Sequence, residues 1–205
     1  MKKAVLIFAK NPVAGKVKTR IAATMGDKIA LSVYQQLLNH TFNITSYLPV
    51  DKIVFYSDYV EENDLWSSGA YDKKVQNGED LGRRMENAFA DAFVEGNEEV
   101  IIIGTDCAEL SAEIIMKGFA HLRKYDVIIG PATDGGYYLL GMNKLHPGLF
   151  RDIDWSTDKV LEQTISVCRQ NKIDFHLLPE LSDIDNEADL RKMKDELLLE
   201  KMVNP

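Results

Sequence analysis

The sequence predicts an α/β protein, a three-layer α/β/α sandwich around a mostly parallel sheet, and three observations carry that expectation. Two runs, Ala4-Val-Leu-Ile-Phe-Ala9 and Val100 to Ile103, are apolar at every position, the pattern of strands covered on both faces. Such runs alternate along the chain with segments of helical period, the order that builds a parallel sheet through crossover helices. The chain has 205 residues, 45% of them hydrophobic and 27% charged, which is enough for one such domain with a substantial core and too little for two. Residues 1–205 are therefore read as a single domain.

Taken in order, residues 4–9 form the first buried strand. A basic stretch follows, Lys10-Asn-Pro-Val-Ala-Gly-Lys-Val-Lys-Thr-Arg20, and no Asp or Glu occurs before Asp27. Pro12 and Gly15 mark a loop, and residues 16–25 read as a helix broken by Gly26. Such a segment is either a solvated basic surface or a phosphate site, combining side-chain cations with the free N–H groups of a helix start. It is not a P-loop: that motif needs a glycine where Lys10 stands and Ser or Thr where Val17 stands.

Ile29, Ala30, Val33, Leu37, Leu38 and Ile44 share one helical face over residues 27–47, with Tyr34 and Phe42 expected in the core. A strand is expected over 52–57, a polar connection over 58–71 whose Trp66 either packs or stacks on a ligand, and a short strand over 73–76. Leu81, Met85, Ala88, Phe89, Ala92 and Phe93 repeat with helical spacing up to Gly96. Arg83 and Arg84 lie on its first turns, facing an anion or solvent. The central strand around residues 100–103 runs into Gly104-Thr-Asp106. This delivers a carboxylate just past the strand's carboxyl end, where open α/β sheets bind ligands; alternatively, Asp106 caps a helix or faces water. Ser111 is an N-cap for a helix to about residue 124. A strand over 126–131 precedes Asp134-Gly-Gly136, which fits either a hairpin turn or a place where a ligand approaches the main chain. Ser156 or Thr157 caps a helix from about 158 to 171, and a last strand covers 175–179. Asp183 and Asp185 stand two apart before the final helix, able to converge in extended geometry or to act as caps.

Charge and composition remove several function classes. A formal charge of −8 disfavours a nucleic-acid backbone as the main partner. No segment has the roughly 18 apolar residues a membrane span needs, and the opening residues lack a signal peptide's cleavage pattern. Cys107 and Cys168 show no pairing pattern, which suits a reducing cytoplasm. His40, His121, His146 and His176 are isolated in sequence, which argues against zinc.

Six motifs carry a resemblance: Phe8 to Arg20 in the pattern Phe-Ala-Lys-x-Pro-x-x-Gly-x-x-Lys-Thr-Arg, Gln76-Asn-Gly-Glu-Asp-Leu-Gly82, Gly104-Thr-Asp-Cys107, Asp134-Gly-Gly-Tyr-Tyr-Leu-Leu-Gly141, Asp154-Trp-Ser-Thr157, and Asp183-Ile-Asp185. In this order, and over nearly the whole chain, the sequence resembles the small bacterial GT-A type nucleotide-diphospho-sugar transferases, which are related to 2-phospholactate and molybdenum-cofactor guanylyltransferases. The resemblance implies a metal-dependent glycosyltransferase that moves a sugar from a nucleotide-diphosphate sugar to a small-molecule acceptor. The alternative is a nucleotidyltransferase that joins a nucleoside triphosphate to a sugar phosphate or small phosphorylated acid and releases pyrophosphate. It also implies Mg²⁺ or Mn²⁺ on Asp106 and Asp185, with Asp134 or Asp154 as the catalytic base or the group that orients the acceptor. The implied nucleotide and phosphate contacts are Ala9, Lys10, Gly15, Lys18, Thr19, Arg20, Gln76, Gly78, Leu81 and Thr105. The glycosyltransferase Asp-x-Asp is reduced here to Thr105-Asp106, so the metal assignment follows the nucleotidyltransferase pattern. The glycine-rich triphosphate loop of those enzymes is thinned to Gly15.

Overall fold

A computed structural model describes residues 1–66 and 69–192; Ser67 and Ser68 of the expected polar connection, and residues 193–205 of the expected domain, lie outside the described residues. Seven strands form one sheet: β1 (Lys3–Ala9), β2 (Asp51–Tyr56), β3 (Asp72–Val75), β4 (Glu99–Gly104), β5 (Val127–Pro131), β6 (Tyr137–Met142) and β7 (Phe175–Leu177). Their spatial order is β3-β2-β1-β4-β6-β5-β7. Every neighbouring pair is parallel except the two made by β6, which runs antiparallel to both β4 and β5. The sheet is thus mostly parallel, as expected, and Asp134-Gly-Gly136 is the tip of the β5–β6 hairpin.

The helices are α1 (Thr19–Met25), α2 (Asp27–Ser46), α3 (Leu81–Val94), α4 (Ala112–Leu122), α5 (Val160–Gln170) and α6 (Glu187–Lys192), with a 3₁₀ turn at Pro147–Phe150. Strand alternation sorts them into two layers. Val5, Ile7 and Ala9 of β1 share a core with Tyr34 and Leu38 of α2 and Phe119 of α4. Ala4 and Leu6 face the other way, onto Met85 and Phe89 of α3 and Cys168 of α5. Since β1 is covered on both sides, Ala4 to Ile7 are all fully buried; each large aliphatic so placed contributes about 1.5–3 kcal/mol.

Some boundaries differ from expectation. The helix expected from residue 16 begins at Thr19, because Lys16 bonds back to the Val13 carbonyl (3.0 Å) and Lys18 adopts a left-handed conformation, φ 46° and ψ 47°. What remains of α1 is seven residues, so side-chain cations rather than a helix terminus dominate this loop. The helix expected from residue 158 begins at Val160, with Thr157 Oγ1 accepting the Lys159 N–H (3.3 Å) from outside it. Ser111 does cap α4, its hydroxyl accepting the Ile114 N–H (3.3 Å). Trp66 packs: it is fully buried, edge-on to Phe42 and Tyr71.

The topology fixes where a ligand can sit. From β1 the chain first builds outward through β2 and β3, then returns to lay β4 on the opposite side of β1. The loops leaving β1 and β4 therefore diverge at the carboxyl edge, the switch point where α/β sheets open a crevice. The β5–β6 hairpin tip lies on that same edge, because β5 runs parallel to β4 through the antiparallel β6.

Candidate active site

A cavity of about 550 Å³ opens at this switch point. One wall is cationic and comes from the loop after β1, with Lys10, Lys16, Lys18 and Arg20 beside Thr19. A second is acidic, made of Asp106 after β4, Asp134 on the hairpin tip, and Asp183 and Asp185 before α6. The third is largely apolar, with Leu81 at the start of α3, Tyr137 on β6, Trp155 and Val160.

Each wall is anchored from behind. Asn11, itself buried, donates from Nδ2 to the Tyr59 carbonyl (2.9 Å) and accepts the Asp58 N–H on Oδ1 (3.0 Å), tying the basic loop to the chain leaving β2. The Tyr34 hydroxyl accepts the Lys10 N–H (2.7 Å) and lies 3.1 Å from the Lys10 carbonyl and 3.2 Å from the Thr105 hydroxyl, clamping the loops after β1 and β4 together. Burial first, and the nearby Asp106 second, push the Tyr34 phenol far above its ordinary pKa, so it remains a neutral clamp. The Asp183-Ile-Asp185 segment is held against β4's exit by the Ile184 N–H donating to the Asp106 carbonyl (3.0 Å), and by a parallel bridge between Ala132 and Leu181.

Lys18 links the cationic and acidic walls. Its Nζ lies 2.7 Å from Asp106 Oδ1 and 3.0 Å from Asp185 Oδ1, and its side chain is 4% exposed. Burial works to lower its pKa, yet the two carboxylates outweigh burial and raise it, so the ammonium stays charged. Arg20 Nη1 stands 4.0 Å from Asp185 Oδ2. Asp183 has a buried Oδ1 without a hydrogen-bond partner. Its pKa is pushed up to about 7, first by burial and then by Asp106, Asp134 and Asp185.

Of the residues singled out in the sequence, Lys10, Lys18, Thr19, Arg20, Leu81, Asp106, Asp134 and Asp185 meet at the cavity. Ala9, Gly15, Gln76, Gly78, Thr105 and Asp154 are outside its lining. Gln76 Nε2 donates to the Phe55 carbonyl (3.0 Å) and approaches that of Ala9 (3.4 Å), holding the ends of β1 and β2. Gly15 and Gly78 carry positive φ (78° and 148°), and at Gly78 a Cβ would meet the Arg84 backbone nitrogen at 2.7 Å. Arg84 Nε donates to the Gly78 carbonyl (3.1 Å), while Arg83 pairs with Glu86 (2.7 Å). Asp154 is engaged with Gln163, accepting from Nε2 (3.0 Å) and donating its own N–H to Oε1 (2.8 Å). Lys16, part of the basic stretch, also lines the cavity, whereas sequence reasoning missed Tyr34, Tyr137 and Trp155 as parts of this region. The small residue in Leu81-Gly82 was the available signal for Trp155: a Cβ on Gly82 would lie 2.1 Å from its indole nitrogen, so the ring rests on the helix backbone.

Among the described residues no three His, Cys, Asp or Glu side chains form a ligand set. Two carboxylates bridged by one cation, a third carboxylate with an unpartnered buried oxygen, and adjacent cations for phosphate nevertheless fit a hard divalent ion that takes its remaining ligands from water and substrate. His121 and His176, isolated in sequence, stack at 4.0 Å between α4 and β7, away from this cavity.

A seven-stranded, mostly parallel sheet flanked by helices is the α/β architecture of nucleotide-diphospho-sugar transferase-like proteins. The chain belongs to the family described as uncharacterized proteins conserved in bacteria (DUF2064), whose profile it matches over residues 42–157. A crystal structure from Desulfovibrio desulfuricans G20, described as a candidate nucleotide-diphospho-sugar transferase, is 30% identical with a TM-score of 0.88, over 98% of this chain and 95% of that one. The inositol-1-phosphate CTP transferase from T. maritima shares the fold at 15% identity and a TM-score of 0.59, over 100% and 97% of the two chains. So does Rv0371c of Mycobacterium tuberculosis H37Rv, solved in complex with manganese, at 10% identity and a TM-score of 0.57, over 96% and 100%. No curated protein matches the sequence. Among the described residues no helix is long and apolar enough to cross a membrane.

Proposed function

We propose that this protein is a divalent-metal-dependent glycosyltransferase that moves a sugar from a nucleotide-diphosphate sugar to the hydroxyl of a small acceptor. The observation that carries the reading is the convergence, at one cavity, of four cations from the loop after β1 with Asp106 and Asp185, which lie 79 residues apart (185 − 106). The description of the 30% identical structure supports it.

In this reading Lys10, Lys16, Thr19 and Arg20 hold the diphosphate, and Asp106 and Asp185 hold Mg²⁺ or Mn²⁺. The metal supplies positive charge that stabilises the diphosphate as it departs. Asp134, exposed on the cavity wall with one oxygen fixed by the Gly136 N–H (2.9 Å), removes the acceptor's proton. Asp154, bonded to Gln163, serves by holding the Trp155 loop. Ala9, Gly15, Gln76, Gly78 and Thr105 act from behind the wall, fixing the loops that present the cations and Asp106. Leu81, Tyr137 and Trp155 form the surface on which the less polar parts of the substrates rest. Cys107 and Cys168 are free and buried, which supports a reducing compartment such as the cytoplasm as the place of action.

The test is a thermal-shift screen of nucleotide sugars and nucleoside triphosphates, with and without Mg²⁺ or Mn²⁺, since a ligand of the native state raises apparent stability. A metal-dependent shift with a nucleotide sugar, abolished in Asp106→Ala, is expected. Binding of a triphosphate alone, with pyrophosphate released on adding a sugar phosphate, would replace glycosyl by nucleotidyl transfer.

A further inference from the structure

Resting on the metal-assisted reading above, we propose that Lys18 is an exchangeable counter-ion of the metal pocket. Its ammonium closes the Asp106–Asp185 pair in the free protein and moves to the nucleotide's phosphate when the divalent ion enters, so metal and nucleotide bind cooperatively.

The geometry leaves one position for two cations. A divalent ion binds carboxylate oxygens at about 2.1 Å, and the oxygens facing each other here already contact Lys18 Nζ at 2.7 and 3.0 Å. The two positive charges cannot sit together between those two oxygens, because like charges a few ångströms apart repel each other strongly. Lys18 is distinct from the other cations of its loop. Lys10, Lys16 and Arg20 are exposed, whereas Lys18 is buried. Its backbone is left-handed, a conformation that non-glycine residues adopt at a cost. The two carboxylates remain 38% and 34% exposed and line the cavity, so an ion can reach them from there.

Once displaced, a buried ammonium needs another anion, since leaving it unpaired is strongly unfavourable. The cavity offers a place for one: a diphosphate lying along Lys10, Lys16 and Arg20 is within the same walls. Each ligand therefore removes an obstacle to the other, and by linkage the coupling is reciprocal.

The experiment measures Mn²⁺ affinity by calorimetry on the full chain, alone and with whichever of ADP, CDP, GDP or UDP raises its melting temperature most, corrected for Mn²⁺–nucleotide association. The wild type is expected to bind Mn²⁺ weakly alone and about tenfold more tightly with the diphosphate. Lys18→Met is expected to bind Mn²⁺ about tenfold more tightly than wild type without nucleotide, and to show a smaller diphosphate effect than wild type, keeping only what phosphate oxygens contribute as ligands of the ion; Lys18→Gln, which can still bridge the carboxylates through its amide, substitutes if the methionine variant does not fold. Wild-type Mn²⁺ affinity unchanged by the diphosphate, or Lys18 variants binding Mn²⁺ no better than wild type, would overturn the counter-ion role while leaving the metal site standing. Absence of Mn²⁺ binding in every protein and condition, with the diphosphate still bound, would instead remove the metal reading and this proposal with it.

Discussion

Tyr34 illustrates how much a single side chain carries in this protein. Its ring belongs to the core between the sheet and α2, as the helical spacing indicates, but its hydroxyl is the point where Lys10 and Thr105 are tied together. Tyr34→Phe keeps the ring and leaves the Lys10 N–H without its partner, at a cost of about 1–3 kcal/mol. For a domain of this size we expect a fall in melting temperature of roughly 2–4 °C per kcal/mol, together with weaker nucleotide binding in the same assay. An unchanged melting temperature would show that the clamp is not formed in solution. A second residue-scale dependence lies at the amino ends of the central strands, opposite the cavity. Glu99 on β4 is fully buried, and its counter-charge is Lys3 on β1, with Nζ 3.0 Å away. Lys3→Met leaves that carboxylate buried and unpaired, so a loss of about 3 kcal/mol is expected in chemical denaturation. Lys3→Met/Glu99→Gln should recover much of it, since the uncompensated charge is then gone.

At the scale of elements, the β5–β6 hairpin and the start of α5 act as one unit. Gly135 has φ of 87°, its carbonyl accepts the Leu161 N–H (2.9 Å), and a Cβ there would meet the Asp158 carbonyl oxygen at 2.1 Å. Gly135→Ala therefore combines an unfavourable backbone with a clash against main chain, for an expected loss of about 1–3 kcal/mol. Because Trp155 is on the loop that carries Asp158 and the other tryptophan, Trp66, is buried elsewhere in the fold, the change should also appear in the emission of Trp155. A melting curve and emission spectrum identical to wild type would refute this coupling. The basic loop and α1 make the opposite point. Periodicity alone extends the helix to residue 16, but the left-handed Lys18 ends it at Thr19, because tertiary pairing of the ammonium with Asp106 and Asp185 outweighs local helical preference.

For the molecule as a whole, stability responds to pH through groups that the sequence treats as unrelated. The rings of His121 and His176 stack at 4.0 Å, with Tyr125 against His176. Burial first, and the neighbouring His121 second, lower the pKa of His176 below its usual 6.5. A base whose pKa is depressed on folding binds fewer protons in the native than in the unfolded state, so stability rises with pH through this range. The contribution is complete above about pH 6.5 and is lost as pH falls below it toward the native value. His176→Gln should remove that slope, so the difference in stability between wild type and variant should shift in the variant's favour between pH 7 and pH 5. A difference that stays flat with pH would show that the pKa of His176 is not lowered in the folded protein.

The extent to which the site was legible from sequence follows from the same physics. Lys10, Lys18, Arg20, Asp106, Asp134 and Asp185 stand out because strand ends and glycine-marked turns deliver charged residues to one edge of a parallel sheet, and all six reach the cavity. Asp154 stands in an equally suggestive motif, yet its carboxylate turns to Gln163, a partner nine residues on that periodicity does not distinguish from any other exposed glutamine. Trp155 and Tyr137 read as apolar residues in or beside predicted elements; only the fold makes them a cavity wall.

By itself the sequence determined the layered α/β architecture, because apolar runs on both faces of a strand are compatible only with burial between two helix layers, and it determined that a cationic loop and separated aspartates would leave that sheet. Only the tertiary structure decided that these charges meet, that β6 enters antiparallel between β4 and β5, and that Lys18 stands between Asp106 and Asp185. The reason is physical: local pattern fixes which surface a residue presents, whereas the partner of a buried charge is chosen by the whole fold, across 167 residues for Lys18 and Asp185.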